Sequence, residues 1–426
     1  MNKIKKNDLF AYVIAFFIIL TGCSIFDNLN KINLHLSEIF VFIFICWAIF
    51  YARRDIKNIC KRKIILIYSS MILGYQIIFI VYHILLRNNT IVGISAYSIK
   101  FTILFLLLSF YFILDNNWNK FKNILKKISN IIVFLTAISI FFYFAGSILK
   151  IIQPTGEVEV IFGKKQNIPT YFFVYFESQL HPIFNHWVYR NCSIFCEAPM
   201  FNIFLILSLS YEILLKDKIN IKKIIIITIG IITSISLIGI ILMLVIYSYN
   251  ILIYALNKSK SRKFKVILFA FLILLGILCI YLSVAKLQTS SYSVRTNNYS
   301  VAFKLFKNKP IFGYGYNNYA IENEIAESLF NKKYSISSSF TQILVDGGIY
   351  ITLFYFLPLC ILTYHYVRIR NYNNLMFIII NCVLFLFMTY SYTLLIVFQL
   401  SYMYVLSIKI VKNYLDKKYQ IKKCNS

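Results

Sequence analysis

Apolar residues fall in long runs separated by short polar segments, and that pattern predicts membrane-crossing helices. The runs cover residues 9–26, 37–51, 64–86, 94–114, 128–152 and 199–215, then 224–256, 266–286, 341–364, 375–391 and 393–410. They lack the period of two that a barrel strand requires; Ile224 to Ile232 reads IIIITIGII. A lipid-embedded segment of that kind satisfies its own backbone only as a helix. The run 224–256 stands out by its length. Its 33 residues at 1.5 Å each span about 50 Å, against a hydrocarbon core of about 30 Å. It is therefore expected to cross twice, with a break at Thr233-Ser234-Ile235-Ser236, where hydroxyls can satisfy freed backbone groups. The expected fold is all-α, a single polytopic membrane domain over residues 1–426 with about 12 transmembrane helices.

Composition strengthens this picture. Of 426 residues, 59% are hydrophobic and 14% charged, well below the roughly 25% charged residues of ordinary globular chains. The formal net charge of +28 would suggest nucleic acid in a soluble protein, but its placement argues otherwise. Thirty of the 44 Lys and Arg lie in seven short segments beside apolar runs: Lys3 to Lys6, Arg53 to Lys63, Lys120 to Lys127, Lys216 to Lys223, Lys258 to Lys265, Arg368 to Arg370 and Lys409 to Lys423. Basic loops of this kind are cytoplasmic and face anionic lipid headgroups. They predict both termini in the cytoplasm, membrane lipid as a partner and no nucleic-acid binding. The first run lacks a small-residue cleavage site, so targeting is expected through the first helix.

Two successive cytoplasmic loops are separated by an even number of crossings, which places two large loops outside, residues 153–198 and 287–340. They show no obvious periodic apolar pattern, and long loops of this kind tend to be functional. They carry Glu157, Glu159, Glu177, Glu197, Glu322, Glu324 and Glu327, with Arg190 and Arg295 as their arginines. Cys192 and Cys196 form a C-x-x-x-C pair open to disulfide or metal chemistry, although the further ligands of a zinc site are not nearby. The segment Arg190 to Pro199 (RNCSIFCEAP) leads into a span, with Pro199 suited to a first helical turn and Glu197 at the helix start. Two readings stay open there: a cap beside a topological arginine, or an arginine that binds an anion at the membrane surface. In the second loop, Ser293 to Phe306 predicts a short amphipathic helix. A Pro310-Ile311-Phe312-Gly313-Tyr314-Gly315-Tyr316 turn and a polar stretch follow, and Ser337 to Gly348 then leads into the next span.

The order of these features resembles the O-antigen polymerase and ligase superfamily of bacterial polysaccharide assembly. Four pieces carry the resemblance: Arg190 with Glu197-x-Pro199; Thr233, Ser234, Ser236 and Gly239 at a break in a double span; Arg295 followed by Pro310-x-x-Gly313-x-Gly315; and Gly347-Gly348-Ile349. It implies a GT-C-like membrane glycosyltransferase that uses undecaprenyl-pyrophosphate-linked glycan on the outer face of the inner membrane. A chain-length regulator and a flippase would be its partners, and neither cofactor nor metal is expected. The leaving pyrophosphate develops negative charge, which arginines stabilise through charge-assisted hydrogen bonds. Arg190 and Arg295 are thus expected as phosphate clamps, with Tyr314, Tyr316 and Ser338 as further substrate-binding residues; Tyr319 is another aromatic candidate. An acceptor hydroxyl needs a general base, and Glu197 is first choice, with His181, His186 and Asp346 behind it. Ligases of the superfamily typically place a histidine before the Gly347-Gly348 span. This chain has Ser337, Ser338 and Ser339 there and no His between positions 187 and 364, which favours a polymerase. A ligase and a polysaccharide flippase are the alternatives.

Overall fold

The computed structural model describes residues 3–29, 36–55, 59–86, 91–113, 117–162, 164–183, 186–258, 290–331, 335–336 and 338–424. Helices dominate: α1 (Lys3–Leu20), α2 (Leu36–Asp55), α3 (Ile59–Leu85), α4 (Ile91–Tyr97), α5 (Phe105–Ile113), α6 (Asn117–Phe142), α7 (Ala198–Ser210), α8 (Ile221–Thr233) and α9 (Leu237–Lys258). They are followed by α10 (Ser290–Asn308), α11 (Tyr319–Phe330), α12 (Ser339–Arg368), α13 (Tyr372–Phe387) and α14 (Leu394–Cys424). Among the described residues, seven helical segments are long and apolar enough to cross a membrane: Leu66–Leu85, Ile91–Ile113, Asn119–Ile148, Ala198–Leu215, Leu237–Ala255, Ser339–Arg368 and Leu394–Tyr414. Asp8–Leu20, Glu38–Trp47 and Tyr372–Phe387 are shorter apolar helices. The protein is a helical, polytopic membrane protein, with seven such spans among the described residues against about twelve expected. The expected span 266–286 lies outside the described residues.

The long run 224–256 breaks where its hydroxyls predicted. Helix α8 ends at Thr233 and α9 starts at Leu237. Thr233 Oγ1 donates back to the Ile229 carbonyl at 2.9 Å, and Ser234 Oγ to that of Ile231 at 2.7 Å. At 13 residues, α8 is about 20 Å long, short of the hydrocarbon thickness.

The first large loop departs from the all-α expectation. Residues 156–189 form strands β1 (Gly156–Phe162), β2 (Lys164–Tyr171), β3 (Tyr175–Phe176), β4 (Leu180–Ile183) and β5 (His186–Tyr189). The first three make an antiparallel sheet in the order β1-β2-β3, and β4 pairs antiparallel with β5. Alternation is the cause: Val158, Val160 and Ile168 point inward, while Glu157 and Asn167 face out. That period of two marks a half-buried strand. The second large loop holds the predicted amphipathic helix as α10, and the polar stretch after the turn contains a further helix, α11.

The chain divides into two compact units. The first contains Met1–Leu34, Leu125–Tyr299 and Ile379–Met388; the second contains His35–Ile124, Ser300–Ile378 and Thr389–Ser426. Helix α7 lies deep in the first unit, with Ala198, Phe201, Leu205 and Leu209 sealed from solvent. In the second unit, Val301, Ala302 and Leu305 of α10 pack with Tyr314, Ala326 of α11 and Val345 of α12.

Candidate functional site

In the first unit, the guanidinium of Arg190 is held at the break between α8 and α9. Its Nε donates to the Ser234 carbonyl at 2.8 Å and its Nη2 to that of Ile235 at 2.9 Å. Beside it, the Asn191 backbone N–H reaches the Thr233 carbonyl at 3.1 Å, and Asn191 Nδ2 reaches Thr233 Oγ1 at 3.1 Å. A helix C-terminus exposes unpaired carbonyls and partial negative charge, so a cation is favoured there. Arg190 thus caps α8 through acceptors that lie 44 and 45 residues further along the chain.

Arg190 Nη1 also donates to Gln179 Oε1 at 3.2 Å, and the same oxygen accepts the Ala198 backbone N–H at 3.2 Å. Gln179 therefore ties the arginine to the first turn of α7. Asn202, fully buried one turn further on, donates to the Ala198 carbonyl at 3.0 Å and also to Ser234 Oγ. Gly239 is needed opposite it: a Cβ at that position would lie 2.1 Å from Asn202 Oδ1. Two of the motifs read in the sequence, Arg190 to Pro199 and Thr233 to Gly239, are two halves of one junction.

Glu197 is the N-cap residue of α7, but its side chain makes no capping hydrogen bond. Its carboxylate has no hydrogen-bond partner among the described residues. Burial raises its pKa above the ordinary carboxylate value, opposed by the nearby charges of Arg190 and Arg295. Arg295, in the first turns of α10, donates one long hydrogen bond of 3.5 Å to the Phe387 carbonyl at the end of α13. Tyr299, one turn after Arg295, fixes α10 by donating to the Leu386 carbonyl at 2.8 Å.

The two arginines are therefore not equivalent. Arg190 has three of its five N–H donors committed to the protein, whereas Arg295 is half-buried with its fork almost unengaged. An unpartnered carboxylate under the field of two guanidinium groups can take a proton from a hydroxyl, and the arginines can hold an anion. Of the other candidate bases, His181 lies on β4 and His186 on β5.

The remaining predicted residues belong to the second unit, which covers most of their faces. Tyr314 is in the core described above, and Tyr316 packs against Tyr392 with ring centroids 4.5 Å apart. Tyr319 is exposed at the start of α11. Ser338 is the N-cap of α12, its Oγ accepting the Thr341 N–H at 3.2 Å. Ser337 lies outside the described residues. Tyr314 and Tyr316 are inside because their turn folds under α12. Tyr314 N donates to the Val345 carbonyl at 3.0 Å and Gly315 N to that of Asp346 at 2.8 Å. In return, Ile349 N donates to the Pro310 carbonyl at 2.8 Å and Tyr350 N to that of Ile311 at 3.0 Å. The Pro-x-x-Gly-x-Gly turn and the Gly347-Gly348 pair thus form a backbone interlock.

Beneath this interlock Asp346, a reserve candidate for the base, belongs to a buried carboxyl pair that sequence reasoning missed. Its Oδ2 accepts the Tyr392 hydroxyl at 2.6 Å and the Asn317 N–H at 3.0 Å. Glu322 of α11, 1% exposed, hydrogen-bonds to Asp346. Burial and then the Asp346 charge push the Glu322 pKa well above the usual carboxylate range. The folded state therefore holds a proton that the unfolded chain releases, so stability falls as pH rises above the unfolded carboxylate value. Glu322→Gln keeps a donor toward Asp346 without titrating. The melting temperature of this variant in detergent is expected to decline less with rising pH than that of the parent; equal slopes would exclude the shared proton.

Comparison with known proteins bears on both units. Residues 224–356 match the family model described as O-Antigen ligase. The match runs from α8 into α12 and includes Gly239, Arg295, Gly313, Gly315 and the Gly347-Gly348 pair, while Arg190 and Glu197 precede it. No curated protein and no solved structure matches the chain.

Proposed function

We propose, from the premise that the 224–356 match supports the O-antigen ligase and polymerase superfamily, that this protein polymerises undecaprenyl-pyrophosphate-linked repeat units into a surface polysaccharide. The chain acts as one polytopic domain of about twelve spans in the inner membrane, both termini cytoplasmic, with loops 153–198 and 287–340 outside. The observation that carries the reading is Glu197, a carboxylate without a hydrogen-bond partner among the described residues, in the field of Arg190 and Arg295. Glu197 takes the proton of the acceptor hydroxyl as that oxygen attacks the anomeric carbon of the donor. The bond to the pyrophosphate breaks, and Arg295 receives the developing negative charge, with the two spare N–H groups of Arg190 behind it. A polymerase is favoured over a ligase because the segment before the Gly347-Gly348 span, where ligases of the superfamily typically place a histidine, carries Ser337, Ser338 and Ser339 instead.

Deleting the gene and separating the surface glycan on a gel tests this reading. Collapse of the ladder to a single repeat unit is the expected result. Loss of all glycan, with lipid-linked polymer accumulating, would indicate a ligase, and an unchanged ladder would overturn both.

A pH profile examines the base directly. Activity should fall on the acid side as Glu197 takes up a proton, with a midpoint above the ordinary carboxylate value, because burial raises its pKa. Glu197→Gln is expected to lose roughly 10²–10⁴-fold in rate, the usual contribution of a general base. Any residual activity should lack that acid limb; an unchanged limb would remove Glu197 from the role.

A further inference from the structure

The C-x-x-x-C spacing draws attention to Cys192 and Cys196 as partners, but the backbone brings a different cysteine to Cys196. Just after α1, Ser24 forms an antiparallel bridge with Phe195. The bridge is closed by Ile25 N donating to the Ile194 carbonyl at 2.9 Å and Cys196 N to that of Cys23 at 3.1 Å. In that register Cys23 lies opposite Cys196. Cys23 faces Cys196 across that one backbone hydrogen bond, in the left-handed region at φ 60°, and is the largest titratable influence on the Cys196 thiol; a disulfide requires Cα atoms roughly 4.4–6.8 Å apart. The register is held firmly, since the Phe195 ring stacks on Phe201 and Phe204 of α7 at 5.6 and 5.1 Å.

We propose that Cys23 and Cys196 are a redox pair that closes to a disulfide on the outer face of the membrane, joining the end of α1 to the segment that carries Glu197. The outward placement rests on the proposed function; the pairing rests on the bridge alone. Cys196 is 1% exposed and Cys23 is half-buried, so an oxidant meets Cys23 first. The Cys23 thiolate attacks the disulfide of a thiol–disulfide exchange protein and expels one of its sulfurs. The Cys196 thiolate then attacks the Cys23 sulfur in the mixed disulfide and releases the exchange protein as a dithiol. The chain loses two electrons and two protons, and the partner's two sulfurs take them up. Burial raises the pKa of Cys196 well above the ordinary thiol value, with Cys23 the next contributor, so closure is expected to be slow unless it precedes complete folding.

The test uses the full-length protein in membranes from expressing cells. Thiols are trapped with acid and N-ethylmaleimide, and the digest is read by mass spectrometry. The expected result is a peptide linking Cys23 to Cys196, present in Cys192→Ser, absent in Cys196→Ser and lost on reduction. A second sample is treated with copper phenanthroline before trapping. A link that forms only there upholds the pairing and overturns its closure in the cell. Recovery of both cysteines as maleimide adducts in both samples, or a Cys192 to Cys196 link, overturns the pair itself.

Discussion

Arg295→Ala is expected to abolish the glycan ladder while leaving the amount of folded protein in the membrane unchanged. The side chain makes one hydrogen bond, at the 3.5 Å limit, so its removal costs little stability. Removing a donor aimed at developing negative charge typically lowers rate by about 10²–10³-fold. Arg190→Ala is expected to behave differently. It strips the donors from the buried Ser234 carbonyl and the half-buried Ile235 carbonyl, an unsatisfied buried acceptor costing about 1–3 kcal/mol, so protein level and activity fall together. Quantifying membrane-inserted protein alongside the ladder separates the two cases. An Arg295→Ala variant with a normal ladder would remove that residue from phosphate binding.

Gly348→Ala is expected to cost about 3 kcal/mol or more, from left-handed strain together with overpacking. Gly348 has φ +57°, and a Cβ there would lie 2.5 Å from the carbonyl oxygens of both Pro310 and Ile311. Gly313, at φ +64°, faces the reverse constraint, its Cβ lying 2.3 Å from the Val345 oxygen. Either alanine forces the same interlock apart. The double variant should therefore cost about as much as either single one, a departure from additivity measurable by thermal unfolding in detergent. Additive losses would show that the two glycines guard separate contacts.

Much of the fold was legible from hydropathy because lipid imposes one solution on a long apolar run. The break at Thr233 to Ser236 was legible for a related reason, its hydroxyls having backbone carbonyls to serve. The β-strands after residue 156 were not, because they are short and alternate over only a few residues, as in Glu157-Val158-Glu159-Val160. At the candidate site, the sequence shows which residues carry charge but not what they touch. Arg190 finds its acceptors at positions 234 and 235, and Glu197 feels Arg295 from a distant part of the chain. Glu322 reads as an outer-surface charge until its partner Asp346 is seen. Tyr314 and Tyr316 read as substrate-binding aromatics, and the structure shows their turn folded under α12.

The backbone interlock has a consequence for variation among related chains. A fastening built from main-chain amides and carbonyls ignores most side-chain identity, provided its glycines, Gly313, Gly315, Gly347 and Gly348, are kept. Residues 316–336, which join one half of the interlock to the other and include α11, can then diverge without loosening it. Transplanting that stretch between relatives, with Glu322 moved together with its Asp346 partner, offers a way to exchange recognition elements while preserving the scaffold.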